Sequence, residues 1–112
     1  MSKLVNTNIK VDRPSLSVLQ ARAAEVAVQL NLLSNANRLL VLCHLLEGEQ
    51  SVGVLQTKLD LSQSALSQHL ARLREAGMVG TRRDRQTVFY RIADMRVHQM
   101  IEALYLIYCV PD

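Results

Sequence analysis

A mainly helical fold with one small β-hairpin is predicted for this 112-residue chain by three observations. Apolar residues recur at i, i+3, i+4 and i+7 in several separate stretches, the spacing of helices that bury one face. Residues that start helices (Ser, Asn, Asp) and residues that stop them (Gly) punctuate those stretches at short intervals. After Gly77 the rhythm changes to two short β-prone runs, "MVGTRR" and "TVFYRI", separated by the polar "DRQ".

The elements follow in order. Residues 1–13 read as a flexible arm, and one domain is expected from 14 to 112. Pro14 suits the first turn of a helix, and Leu16, Leu19, Ala23, Val26, Ala27, Leu30 and Leu33 make this the clearest amphipathic helix in the chain. Ser34 or Asn35 caps a second helix, with Gly48 as its stop. Its body, Leu39 to Leu46, is apolar almost all round, as befits the central helix of a small core. Ser51 caps a short third helix with Val52, Leu55 and Leu59 inward. "LDLS" is a tight connection, Ser62 caps the fourth helix and Gly77 ends it. After the hairpin, Asp94 caps a final helix reaching Cys109, and Pro111 closes the chain. Two short helices joined by a tight turn and followed by a basic hairpin make a winged helix-turn-helix.

Composition narrows the function classes. A hydrophobic fraction of 49% argues for a folded domain rather than a disordered one. No apolar run approaches ~20 residues, and the N-terminus has no apolar core like that of a signal peptide. A cytoplasmic protein with no membrane partner is expected. Cys43 and Cys109 would then sit in a reducing compartment, where a permanent disulfide is disfavoured.

The fourth helix, "SQSALSQHLARLREAGMV", poses the central question. Leu66, Leu70 and Leu73 form its buried stripe. Gln63, Ser64, Ser67, Gln68, Ala71 and Arg72 form a short-chained polar face where an ordinary surface helix carries Lys and Glu. Amides and hydroxyls exchange hydrogen bonds with base edges in a major groove about 12 Å wide, and Gln pairs bidentately with adenine. Glu there would meet phosphates with the wrong charge, and Ala71 keeps the helix thin. The free N–H groups at the helix start favour phosphate.

Charge placement agrees. Six arginines between Arg72 and Arg91 face only Glu75 and Asp84, an excess larger than the +3 of the whole chain. Concentrated arginine is the footprint of a polyanion. Gln63, Ser64, Ser67, Gln68 and Arg72 are therefore the candidate DNA contacts of the helix, and Arg82, Arg83 and Arg85 those of the hairpin. The partner is double-stranded promoter DNA. The hairpin tip lacks glycine, so a two-residue turn with positive φ would be strained, and a longer or more mobile wing is expected.

From Ala21 to Cys109 the chain resembles the ArsR/SmtB-type bacterial repressors, through "LLSNANRLLVLCHLLEGEQSVGVL", "LSQSALSQHLARLREAGMV" and "RRDRQTVFYRI". The resemblance implies a homodimeric winged-helix repressor that leaves its inverted-repeat operator when an inducer binds. Asn35 and Ala36 stand where the family usually has His-Pro. The family's arsenic- and cadmium-type sites need Cys-x-Cys in the stretch that here reads "SVGVLQTKLD". Its zinc-type site needs Asp-x-His, and here Asp94-Met95-Arg96 puts an arginine at the last position. His98 and Glu102 alone do not close a metal site. No metal or other cofactor is expected.

The placement of Cys43 and Cys109 resembles the sulfide- and persulfide-responsive branch of the family, the BigR, SqrR and HlyU-like regulators, in "LVLCHLLEGEQSVGVL" and "MIEALYLIYC". The resemblance makes this pair the redox-sensing site, with reactive sulfur species as inducer. Apolar surroundings raise a thiol's pKa, and Arg38 or His44 are the cations that could offset this at Cys43. Four alternatives stand beside this reading: a general oxidant-responsive thiol repressor, a metal-responsive repressor, a thiol-dependent enzyme, and a winged helix used only for protein interaction. The enzyme lacks a Cys-x-x-Cys or a cysteine at a helix start, and the interaction module leaves the arginines unexplained. Surplus apolar residues on the first helix (Ala24, Val28, Leu32) and in the terminal "ALYLIYC" predict that these two helices form the dimer interface.

Overall fold

The structure, a computed structural model, describes residues 15–109; the expected arm at 1–13 and the domain start at 14 lie outside the described residues. The order is α1 (Leu16–Leu33), α2 (Ala36–Leu45), β1 (Gln50–Ser51), α3 (Val52–Leu59), α4 (Gln63–Glu75), β2 (Val79–Asp84), β3 (Thr87–Ile92) and α5 (Met95–Tyr108). It is a winged helix-turn-helix.

Capping residues set the helix starts. Asn35, not Ser34, caps α2, its side chain accepting from the N–H groups of Asn37 and Arg38 at 3.0 and 3.1 Å. Ser34 Oγ instead donates to the Asn31 carbonyl. Ser51, Ser62 and Asp94 cap α3, α4 and α5 as expected. Each such cap satisfies a free N–H and is worth about 0.5–2 kcal/mol against alanine. Arg38 Nε donates to the Leu32 carbonyl at 2.7 Å, which ties the end of α1 to the start of α2.

The core forms around α2. Val41 and Leu42 are fully buried, and Leu55 of α3, Leu73 of α4, and Val97 and Ile101 of α5 close on them. Met78 and Val79 lead out of this core into β2, and Tyr90 and Ile92 of β3 pack against it.

Four expectations are corrected. The stripe read along α1 does not pack into this core: only Leu33 of the seven is buried, and Leu16, Leu19 and Leu30 are exposed. Sequence periodicity identifies an apolar face without saying what covers it. A third strand, β1, joins the hairpin in the order β1-β3-β2, with Gln50 opposite Tyr90 and Ser51 opposite Phe89. Two residues are too few for a period of two to register. The wing is also shorter than expected. Asp84 pairs with Thr87, so Arg85 and Gln86 alone make the turn, with Arg85 at φ 61°. Lastly, α5 ends at Tyr108, and Cys109 is its C-terminal cap.

Candidate nucleic-acid interface and thiol pair

Helix α4 is oriented by its apolar stripe. Leu66, Leu70 and Leu73 are buried at i, i+4 and i+7, which turns Gln63, Ser64, Ser67, Gln68, Ala71 and Arg72 outward, all exposed. The turn from α3 is made by Asp60 in the left-handed region (φ 53°), a conformation Asp tolerates better than most residues. Ser62 Oγ then accepts from the Ala65 N–H at 3.1 Å. No acidic residue lies in the first turn of α4, so its positive end is left for an anion. Gly77 (φ 76°) ends the helix, with its N–H on the Arg74 carbonyl and the Met78 N–H on that of Leu73.

The three wing arginines differ. Arg83 and Arg85 are exposed, and among the described residues neither is ion-paired. Arg82 is engaged. Its Nε donates to both carboxylate oxygens of Glu49, at 2.8 and 2.9 Å, and its Nη2 lies 2.8 Å from Oε1. The guanidinium stands 4.4 Å from the centre of the Phe89 ring. The hydrogen bond to Glu49 is the main reason that the Arg82 pKa is raised still further. Glu49 and Phe89 were not among the residues singled out in the sequence. They meet Arg82 only because strand pairing brings positions 33 residues apart together, and no local signal announces it.

His69 lies on the flank of α4, partly buried, with Nδ1 out of solvent and without a hydrogen-bond partner. Burial, then the charges of Arg38 and Arg72, push its pKa below the usual histidine range. It stands as a neutral ring beside the core.

Cys43 lies on α2, half-buried against the core, and Cys109 is exposed at the end of α5; both are free thiols. Burial pushes the Cys43 thiol up, and the charge of Cys109 pushes it further. Neither Arg38 nor His44 offsets the shift, contrary to the role considered for them.

Among the described residues no three His, Cys, Asp or Glu side chains converge as a metal site. Arg96, at the position where a zinc-type site needs His, approaches Glu25 of α1 at 3.6 Å. Between α1 and α5 runs an open, mainly apolar groove of about 740 Å³, lined by Leu16, Leu19, Val26 and Met100. Among the described residues no single helix is long and apolar enough to cross a membrane.

Comparison with known proteins gives the same architecture a lineage. The profile "Bacterial regulatory protein, arsR family" matches residues 35–81. The chain is 48% identical over 97 residues to the Biofilm growth-associated repressor of Agrobacterium fabrum, covering 87% of this chain and 83% of that protein. It is 48% identical over 95 residues to the Transcriptional activator HlyU of Vibrio cholerae, covering 85% and 88%. The crystal structure of the transcriptional repressor BigR from Xylella fastidiosa superposes with a TM-score of 0.82 at 42% identity, over 88% of this chain and all of that one.

Proposed function

Because this chain belongs to the arsR family of bacterial regulatory proteins, and is a transcriptional regulator rather than an enzyme, we propose that it is a dithiol-switched repressor acting in the cytoplasm. It binds an inverted-repeat operator as a homodimer and releases it when reactive sulfur species link Cys43 to Cys109. The observation that carries this reading is the placement of two free thiols, Cys43 on the central core helix and Cys109 at the end of α5, in a chain 42% identical to the repressor BigR.

The chemistry is a two-step exchange. The Cys109 thiolate, exposed, takes the outer sulfur of a small-molecule persulfide, releasing that molecule's thiolate. The Cys43 thiolate then attacks Sγ of Cys109 itself, breaking its bond to the transferred sulfur, which leaves as hydrosulfide as the bridge closes. The sulfane sulfur is the oxidant, reduced to sulfide as two thiols become one disulfide. A longer polysulfide donor leaves extra sulfur in the bridge and tolerates a wider gap than the ~7 Å between Cα atoms that a direct disulfide allows.

The exposed apolar residues of α1 and α5, with Ile107 at 66% and Tyr108 at 80% exposure, are what a second copy would cover. A bridge from α2 to α5 then ties the body of each protomer to the dimer interface and resets the angle between the two α4 helices. Half-sites lie about one helical turn, ~34 Å, apart, so a small rotation prevents both helices from docking. A hundredfold loss of affinity needs only about 2.7 kcal/mol of coupling, ordinary for allostery. In this reading Gln63, Ser64, Ser67 and Gln68 meet base edges, and Arg72, Arg83 and Arg85 meet phosphates.

The test is mass spectrometry after separate treatment with a persulfide, peroxide and zinc, each paired with an operator-binding assay. Persulfide is expected to add a Cys43–Cys109 bridge and abolish binding. Release by zinc alone would overturn the dithiol reading in favour of a metal-responsive one.

A further inference from the structure

Strand β2 is the outer strand of the sheet and pairs only with β3, so the wing hangs on one ladder. Arg82, midway along β2, stands directly opposite Phe89 of β3, and Ser51 of β1 stands opposite Phe89 from the other side. The Arg82 guanidinium lies over the Phe89 ring and closes a two-oxygen contact on Glu49, just before β1. One side chain thus crosses all three strands.

The far end of this crossing is anchored. Gln50 Nε2 donates to the His44 carbonyl in the last turn of α2, and Lys58 Nζ of α3 donates to Gln50 Oε1 at 3.1 Å. The same Lys58 ammonium stands 3.8 Å from Glu47. The segment from 47 to 51 is therefore fastened to α2, α3 and β3 at once.

We infer that Glu49 is a positioning residue of the DNA interface, holding the wing through Arg82 at the angle that presents Arg83 and Arg85 to the phosphate backbone. A carboxylate held against a basic DNA-facing wing is otherwise a liability, since it repels phosphate and occupies a guanidinium that would neutralise one. Arg82 then acts on DNA indirectly, while Arg83 and Arg85 act by contact. The inference rests on the operator-binding reading of this wing.

The two roles open to Glu49 predict opposite signs. The probe is a 30-base-pair duplex selected from a random library by the native protein, with affinity followed over a salt series. If Glu49 positions the wing, Glu49→Gln weakens binding about fivefold, the upper range for one well-formed exposed ion pair, without steepening the salt dependence. The swapped pair Glu49→Arg/Arg82→Glu restores affinity to within about twofold, because it re-forms the contact with the same net charge. If Glu49 is only a repelling charge, Glu49→Gln tightens binding and steepens the salt slope by about one unit. Tighter or unchanged binding by Glu49→Gln, or a swapped pair no better than the single variant, overturns the inference while leaving operator binding intact. Failure of the native protein to select any duplex overturns both.

Discussion

His69 of α4 and Arg38 of α2 stand as a neutral base and a fixed cation at the contact between the helix bearing Cys43 and the helix bearing the polar face. Burial comes first and the Arg38 charge second in holding the imidazole below its usual pKa, and Arg72 adds to them. No carboxylate acts in the other direction, and the buried Nδ1 has no acceptor to reward its protonation.

A pH dependence follows, with a definite sign. The folded pKa of His69 is depressed, so the unfolded chain binds its proton first as the pH falls. Stability from this group is complete above the unfolded value near ~6.5 and is lost as the pH drops through it towards the folded value. Thermal unfolding followed from pH 8 to pH 5 is expected to show a falling midpoint in that window, and His69→Gln is expected to flatten it. An unchanged profile in the variant would show that the acid sensitivity lies elsewhere.

The wing tip trades stability for charge. Arg85 holds φ 61° without being glycine, a conformation that costs an L side chain about 1–2 kcal/mol. Arg85→Gly relieves this but adds freedom to the unfolded chain, so a net gain of ~0.5–1 kcal/mol is expected by denaturant unfolding. The same variant loses one phosphate partner, and its DNA affinity should fall with a salt slope shallower by about 0.9. A destabilised Arg85→Gly would mean that the tip is not strained.

Helix and wing substitutions separate by kind. Gln63→Ala and Gln68→Ala should each cost ~1–3 kcal/mol on the preferred duplex and relax base preference at particular positions. Arg83→Gln should weaken binding to every sequence alike. A library selection repeated with each variant reads this directly, and altered base preference in the arginine variant alone would reverse the assignment.

Dimerisation is expected through α1 and α5, whose exposed apolar residues include Leu16, Leu19, Leu106 and Ile107. Sedimentation at micromolar concentration should give twice the chain mass of 12.6 kDa. A Leu19→Glu/Ile107→Glu variant should give a monomer with little operator affinity, since a lone half-site forfeits the linkage between two α4 helices. A native monomer would remove the proposed switch with it.

Cys43→Ser and Cys109→Ser should each bind DNA within about twofold of native, since neither lies on the DNA face, and both should ignore persulfide. Serine at 43 places a hydroxyl against the core, so a modest loss of stability is expected there and not at the exposed position 109. A double-serine protein still released by persulfide refutes the switch.

The order of the helices, the hairpin and three of the caps were legible in the chain, because periodicity and capping are local chemistry written in neighbouring residues. So were the outward Gln63, Ser64, Ser67 and Gln68, since Leu66, Leu70 and Leu73 dictate which way α4 must turn. Tertiary structure alone decided the rest. The α1 stripe was visible in sequence, but its exposure depends on what packs beside it. Two-residue β1 exists only because β3 arrives to pair with it. The union of Arg82 with Glu49 joins positions 33 apart. Such contacts are consequences of chain closure, and no window of neighbouring residues contains them.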